Sequence, residues 1–281
     1  MTTKIFKTEN AKLTVYPNGP EWDGVPAAAF GDFSCKTPDA GAEILAEAIE
    51  WVRRSGVDRI IGPMSGDTWH KYRFVSESDG SASFLMEPTN KSHEPEVFYS
   101  AGFSEISRYF SARVPLVHAA KSAPPPTDAF VIETWDGREP ERLFQQVFDM
   151  SVQAFAGNAF YKPISEADFL AMYMPMVPMI KKELIFFARR PDGTLAGFLF
   201  GIPNYAEGPK TKTAILKTYA SLERGAGRHL ASMFHKSALD LGFDDAIHAL
   251  IHDDNQSADR STAEGATVFR RYSLLGLRPD G

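Results

Sequence analysis

Three consecutive prolines, Pro124 to Pro126 in KSAPPPTDAF, constrain this 281-residue chain more than any other feature. They cannot lie in a helix or a central strand, and they favour a stiff, extended connector. The segments on either side of them must therefore form separate runs of secondary structure. A chain of 281 residues is long enough for two domains of ordinary size. We expect one domain over 1–120, a linker over 121–128 and a second domain over 129–281; a surface loop within one large domain is the alternative.

Hydrophobic spacing organises the second half. AFVIETW is β-rich, ERLFQQVFDMSVQAF has apolar residues at helical spacing, and EADFLAMYMPMVPMI is an irregular helical region broken by prolines. LIFFARR and TLAGFLFGI form a hairpin across Pro191-Asp192-Gly193. TAILKTYAS is a further strand, AGRHLASMFHKSALDLG an amphipathic helix that stops at Gly242, and AIHALIH a short strand. A last short helix is expected between Glu264 and Leu275. The first half repeats part of this order: strand AAAFGDFSC, helix AGAEILAEAIEWVRRSG ending at Gly56, strand DRIIGPM. Placing Gly56 on Gly242 is a shift of 186 (242 − 56). The same shift puts Gly41 on Gly227, Asp67 on Asp253, and Ile60–Ile61 on Ala246–Ile247. A repeat of this length implies duplication of a whole domain; the alternative is two α/β segments that share only a helix length.

At the start of the second repeat, SLERGAGRHLASMF places Gly225 and Gly227 between a strand and a helix, with Arg224 and Arg228 beside them. Glycine permits positive φ and close approach of a ligand to the backbone. The first helical turn leaves N–H groups without partners and carries the positive end of the helix dipole. A diphosphate suits such a place, and arginine matches its oxygens. A bland glycine loop uses the same residues. The Walker pattern G-x-x-x-x-G-K-[ST] is absent, and a dinucleotide fingerprint would need a small residue where Leu230 stands.

The net charge of −6 argues against bulk binding to nucleic acid or to an anionic membrane. Cys35, the only cysteine, can form no intrachain disulfide, the N-terminal MTTKIFKTEN lacks the apolar core of a signal peptide, and no apolar stretch reaches the roughly 18 residues of a membrane span. A cytoplasmic protein, monomer or homodimer, is expected.

The second half resembles the GCN5-related N-acetyltransferase (GNAT) superfamily. Its element order is that of the superfamily, and the acyl-CoA loop pattern [QR]-x-x-G-x-[GA] finds Arg224 in the first position and Gly227 in the fourth, with His229 where a small residue is usual. Asn255 follows the fifth strand, and Tyr272 stands four residues before Gly276, with Leu277 in place of the usual Phe. In the first half, Phe98 stands four before Gly102. The resemblance implies an α/β (α+β) fold of two tandem acyl-CoA N-acyltransferase-like domains, each a mixed, mostly antiparallel sheet flanked by helices. It implies transfer of an acetyl group from acetyl-CoA, as co-substrate, to a primary amine of a small molecule or peptide. By the same resemblance, strands four and five splay apart, and Thr218, Tyr219, Arg224, Gly225, Ala226, Gly227, Arg228, His229 and Asn255 hold the cofactor. A main-chain N–H of the fourth strand meets the oxyanion. Tyr272 is the acid for the leaving thiolate, a proton transfer uphill by roughly 2 kcal/mol; a tyrosine that merely packs is the alternative.

In the first half the turn reads TPDAGAEIL, with Pro38 for Arg224, Asp39 for Gly225 and Glu43 for His229. Each carboxylate at ~4 Å from a phosphate costs roughly 4 kcal/mol at an effective dielectric of ~20. We therefore expect the first half to bind no acyl-CoA. His248, His252, Asp253 and Asp254 are open candidates for the base that deprotonates the amine. HALIH does not read as a metal site, because strand residues four apart lie ~13 Å from one another, so no metal is expected. TWHKYRF (68–74), aromatic and basic, reads as packing or a cleft wall rather than a base-stacking platform, and MYMPMVPM (172–179) as an adaptable apolar wall rather than a cofactor box; Arg270 and Arg271 either reach phosphate or sit exposed on a helix. A non-catalytic CoA-binding or structural module, and an aminoacyl-tRNA-dependent ligase of the same fold, are the other readings; the ligase would want a basic groove that the composition does not show.

Overall fold

The computed structural model describes residues 2–255 and 265–278. The first half builds β1 (Lys4–Lys7), β2 (Ala11–Tyr16), a small hairpin of β3 (Glu21–Trp22) and β4 (Val25–Pro26), β5 (Ala28–Cys35), α1 (Pro38–Arg54), β6 (Ile60–Gly62), β7 (Phe74–Ser78), α2 (Glu94–Ser100), β8 (Ser104–Pro115) and the short α3 (Leu116–Ala119). The second builds β9 (Val131–Thr134), α4 (Pro140–Phe155), α5 (Glu166–Tyr173), β10 (Ile185–Arg189), β11 (Leu195–Pro203), β12 (Thr213–Ser221), α6 (Ala226–Asp240), β13 (Asp245–His252) and β14 (Thr267–Leu277).

Local chemistry explains the ends of the two main helices. In α1, Thr37 caps the first turn through its hydroxyl, Pro38 needs no partner for a missing N–H, and Asp39 and Arg53–Arg54 complement the dipole. Its apolar stripe, Ile44, Leu45, Ala48, Ile49 and Val52, is buried. In α6, Leu230, Ala231, Phe234 and Ala238 form the corresponding stripe. Glycines at positive φ, Gly56 and Gly242, follow both helices.

Among the described residues, twelve strands form one sheet in the order β1-β2-β5-β6-β14-β8-β13-β12-β11-β10-β9, with β7 added against β14. The repeat is visible strand by strand. Ala28 and Ala29 of β5 pair in parallel with Ile60 and Ile61 of β6; 186 residues later, Ala214 and Ile215 of β12 pair with Ala246 and Ile247 of β13. The last strand of each half crosses over. β14 lies beside β6 and β8, and β8 lies beside β14 and β13, so the sheet runs through both halves without an edge between them. The helix expected between Glu264 and Leu275 is corrected: Glu264 lies outside the described residues, and Thr267–Leu277 is a strand. VFRRYSLLGL mixes apolar residues with two arginines in a spacing that periodicity alone assigns to either element; pairing on both edges decides for the strand. For the same reason Arg270 is not an exposed helix residue but is 3 % exposed within the sheet.

Each half keeps its own core, one around Leu13, Phe30, Leu45 and Phe98, the other around Leu199, Leu230 and Phe234 under α6 and Phe144, Phe169 and Phe187 on a second cluster. Tyr109, Tyr272 and Leu274 with Trp22 and Ile61 join them. The proline segment lies along α6: Ser232 donates to Ser122 O at 2.8 Å, and His229 Nε2 faces Pro125 O at 3.0 Å. Among the described residues no helix is long and apolar enough to cross a membrane.

Candidate functional site

β12 and β13 pair in parallel only as far as Leu216 and His248. Beyond that point they part. Lys217 is the extra residue of a bulge opposite Phe200 and Gly201. On β13 the register breaks after His248, Leu250 takes φ 57°, and its N–H donates to Ser111 Oγ of β8 at 3.0 Å. The corresponding place in the first half is closed. There Met64 N–H donates to Phe30 O at 2.6 Å, and Asp32 accepts from Ser65 across the gap and from Tyr16 of β2 on its other side. A Cβ on Gly31 would lie 2.5 Å from Ser65 Cα. Burial and the Asp32 carboxylate push the Tyr16 phenol up to about 12.

The parting of β12 and β13 opens a cleft of about 730 Å³. Its walls are Thr68–Arg73, Met172 and Tyr173, Lys217–Tyr219 and His248–His252 with Asn255. Residues 68–73 and the start of the methionine stretch thus do wall a cleft, while Phe74 packs into the first core. A second hollow, of about 810 Å³, lies over β7 and β14; Arg270, Arg271 and Tyr272 border it, and none of the residues expected to hold the cofactor does.

The turn before α6 carries the other expected residues. Gly225 sits at φ 90° as the N-cap and offers no side chain to the helix. Ala226 N–H bonds to Glu223 O, and Arg228 and His229 N–H bond to Gly225 O, so the N–H groups of Arg224, Gly225 and Gly227 have no partner among the described residues. Arg224 and Arg228 are exposed. This differs from α1, where the Thr37 hydroxyl takes the Ala40 N–H. His229 is tied differently from expectation: its ring faces Gly225 O at 3.2 Å and Pro125 O at 3.0 Å, and stands edge-on to Phe130.

Tyr272 is not in the cleft. It is 1 % exposed on β14, donates to Glu87 Oε1 and lies 2.9 Å from Ser111 Oγ. Arg270 holds Glu87 Oε2 at 2.8 Å. Burial, then the Glu87 bond, pushes the phenol far above its ordinary value. The role expected of it needs an open hydroxyl with a proton to give; here the proton is bound by a carboxylate that the surrounding protein keeps from water. Burial also pushes the Glu87 carboxyl up, against the pull of Tyr272 and Arg270. The parallel drawn between Phe98–Gly102 and Tyr272–Gly276 also fails, since Phe98 is on α2 and Tyr272 on a strand.

Of the four candidate bases, His248 and His252 line the cleft and Asp253 and Asp254 do not. His248 Nε2 lies 2.8 Å from His235 Nε2 of α6, and burial pushes both rings down, to about 4 and about 3. His252 accepts from Asp254 N–H at Nδ1 and faces Ser107 at Nε2. The two histidines of HALIH therefore serve different partners. Four residues of the site escape a reading of the sequence for function. Lys217 is visible there as the one charge in TAILKTYAS, and Arg73 lies within the aromatic and basic stretch 68–74; Glu87 and Ser111 carry no signal.

No protein-family model and no curated protein sequence matches the chain. Solved structures do. A tandem GNAT protein from the clavulanic acid biosynthesis pathway is 13% identical, with a TM-score of 0.56 over 99% of this chain and 84% of that one. A GCN5-related N-acetyltransferase from Sphaerobacter thermophilus is 14% identical, with a TM-score of 0.55 over 96% and 81%. A conserved protein of Enterococcus faecalis V583, described as a probable N-acyltransferase, has a TM-score of 0.58 at 9% identity; the match covers 95% of this chain and 58% of that one. The likeness is one of fold alone: the architecture of this chain is similar to that of the tandem GNAT protein.

Proposed function

We propose that the chain is an acyltransferase that moves an acyl group from a coenzyme A thioester, acetyl-CoA in the simplest case, to a primary amine. The observation that carries this reading is the parting of β12 and β13 after Leu216 and His248, beside a helix whose first turn has no side-chain cap. The closed counterpart at Asp32 and Ser65 supports a single acyl-CoA site, in the second half.

The residues fit the donor by their chemistry. The N–H groups of Arg224, Gly225 and Gly227, with the guanidinium groups of Arg224 and Arg228, would hold the diphosphate. The main chain at Thr218 and Tyr219, released from β13, would pair with the amides of the pantetheine arm, and Asn255 borders the same cleft. A main-chain N–H at the Lys217 bulge would meet the oxyanion. The thioester supplies an activated carbonyl; this chain places it and the amine together. The amine nitrogen bonds to the carbonyl carbon, the carbon–sulfur bond breaks, and the amine's proton ends on the thiolate. Tyr272 acts in this scheme by position, through Ser111 and Leu250, and not as the proton donor.

Calorimetry with CoA tests the reading. Micromolar binding is expected for the intact protein and at least tenfold weaker binding for Arg224→Glu and for Gly227→Glu, with Arg224→Glu retaining its unfolding profile. Equal affinity in both variants would remove the site.

A further inference from the structure

The cleft contains a charge that the transfer reaction does not account for. Arg73 is 7 % exposed, at φ 69°, between Tyr72 and Tyr109, whose ring centres lie 3.9 and 4.1 Å from its guanidinium carbon. Its side chain makes one long bond, 3.4 Å to Leu250 O, and its Nε has no partner among the described residues. Lys217 enters the same cleft from the β12 bulge, and the Arg73 charge acts on its amine. No carboxylate pairs with either cation among the described residues. Glu87, the one carboxylate among the described residues of the cleft wall, is already held by Arg270 and Tyr272. A buried guanidinium and a half-buried ammonium facing one cleft with no counter-ion are unfavourable. They are the more notable in a chain whose net charge is −6.

We propose that Arg73 and Lys217 form an anion-binding subsite, and that one of the two substrates presents a carboxylate to it. The proposal rests on the acyl-carrier reading only in naming those substrates. The planar guanidinium matches a carboxylate in two bonds, and the Lys217 amine can close the third side. The aromatic rings beside Arg73 exclude water and fix its plane. Burial and the Arg73 charge push the Lys217 amine down to about 8, and an anion between the two would raise it again. The carboxylate has two possible sources: the far end of a dicarboxylic acyl group on the donor, or the acid group of an amino-acid acceptor. The diphosphate is not a third, since its proposed donors lie on the α6 turn and outside the cleft wall.

Titration calorimetry separates these. One arm compares succinyl-CoA with acetyl-CoA. The other compares phenylalanine with 2-phenylethylamine, the same body without the acid, on CoA-saturated protein. A preference of about tenfold or more for the carboxylate-bearing probe in one arm identifies the source. That preference should fall to near unity in Arg73→Met and in Lys217→Met, while the affinity for CoA itself changes less than twofold in Arg73→Met, which shows that variant to be folded. Equal binding within both pairs overturns the proposal, as does a preference that survives both substitutions. If CoA does not bind at all, the acyl-carrier reading falls, and the phenylalanine arm on the free protein still decides the subsite.

Discussion

Tyr272 and Glu87 share a hydrogen bond in which the phenol donates to Oε1, and neither side chain reaches water. The bond joins the second half's last strand to a loop of the first. Arg270, two residues before Tyr272, completes the carboxylate's shell at Oε2. Removing one partner of such a buried pair leaves an uncompensated charge, which costs about 3–5 kcal/mol. Arg270→Met should therefore lower the unfolding free energy by about that amount in urea. The double variant Arg270→Met, Glu87→Gln should recover most of it. A loss under about 1 kcal/mol in the single variant would show that the pair is not closed to water.

Tyr272→Phe tests the assignment of that phenol by position. Loss of a buried hydroxyl beside a carboxylate should cost about 1–3 kcal/mol of stability. CoA affinity should hold within twofold, and the basic limb of the rate-against-pH profile should stay where it is. A proton donor would behave otherwise: turnover would drop by orders of magnitude, with stability barely changed and the basic limb lost.

Ser111 takes the Leu250 N–H at the place where the first half closes its own gap with Met64 and Phe30. Ser111→Ala should cost about 1–3 kcal/mol by leaving that N–H unsatisfied or by forcing β13 back toward β12. In the second case the cleft narrows and CoA binding weakens more than fivefold by calorimetry. Unchanged stability and affinity together would show that Ser111 does not hold the strands apart.

The parts of this architecture that local patterns set can be read from residues. Two glycine-stopped helices 186 residues apart mark equivalent strand pairs because helix ends and apolar spacing are written in neighbouring residues. The turn at Gly225 is legible for the same reason. The exchange of β8 and β14 is not, because VFRRYSLLGL suits several partners and only the tertiary arrangement chooses between them. The position of Tyr272 turns on that choice: as a central strand residue it is sealed between β7 and β8. Arg73 and Lys217 come from opposite halves, and no local pattern joins them.

His235 and His248 should make the fold sensitive to acid. Their folded values, about 3 and about 4, lie below the ordinary 6.5. Below pH 6.5 the unfolded chain takes up protons that the folded rings refuse, so stability falls as the pH drops from 6.5 toward 4. At about pH 5 each ring accounts for about 2 kcal/mol relative to neutral pH. The variant His235→Gln, His248→Gln should lose most of that slope between about pH 7 and about pH 5 in urea titrations. An unchanged slope would place the acid sensitivity elsewhere.

Gly225 at φ 90° has nothing within 4 Å of a would-be Cβ, so conformation alone decides what a side chain does there. Alanine in that region costs about 1–2 kcal/mol. If the turn relieves the strain by rotating to negative φ, the N–H groups of Arg224, Gly225 and Gly227 no longer converge. Gly225→Ala should therefore weaken CoA binding at least fivefold, with a stability loss of no more than about 2 kcal/mol in urea. The same substitution at Gly56, also at positive φ with open space around it, should cost comparable stability and leave CoA binding unchanged. Equal loss of binding in both variants would mean that the turn matters only through overall stability.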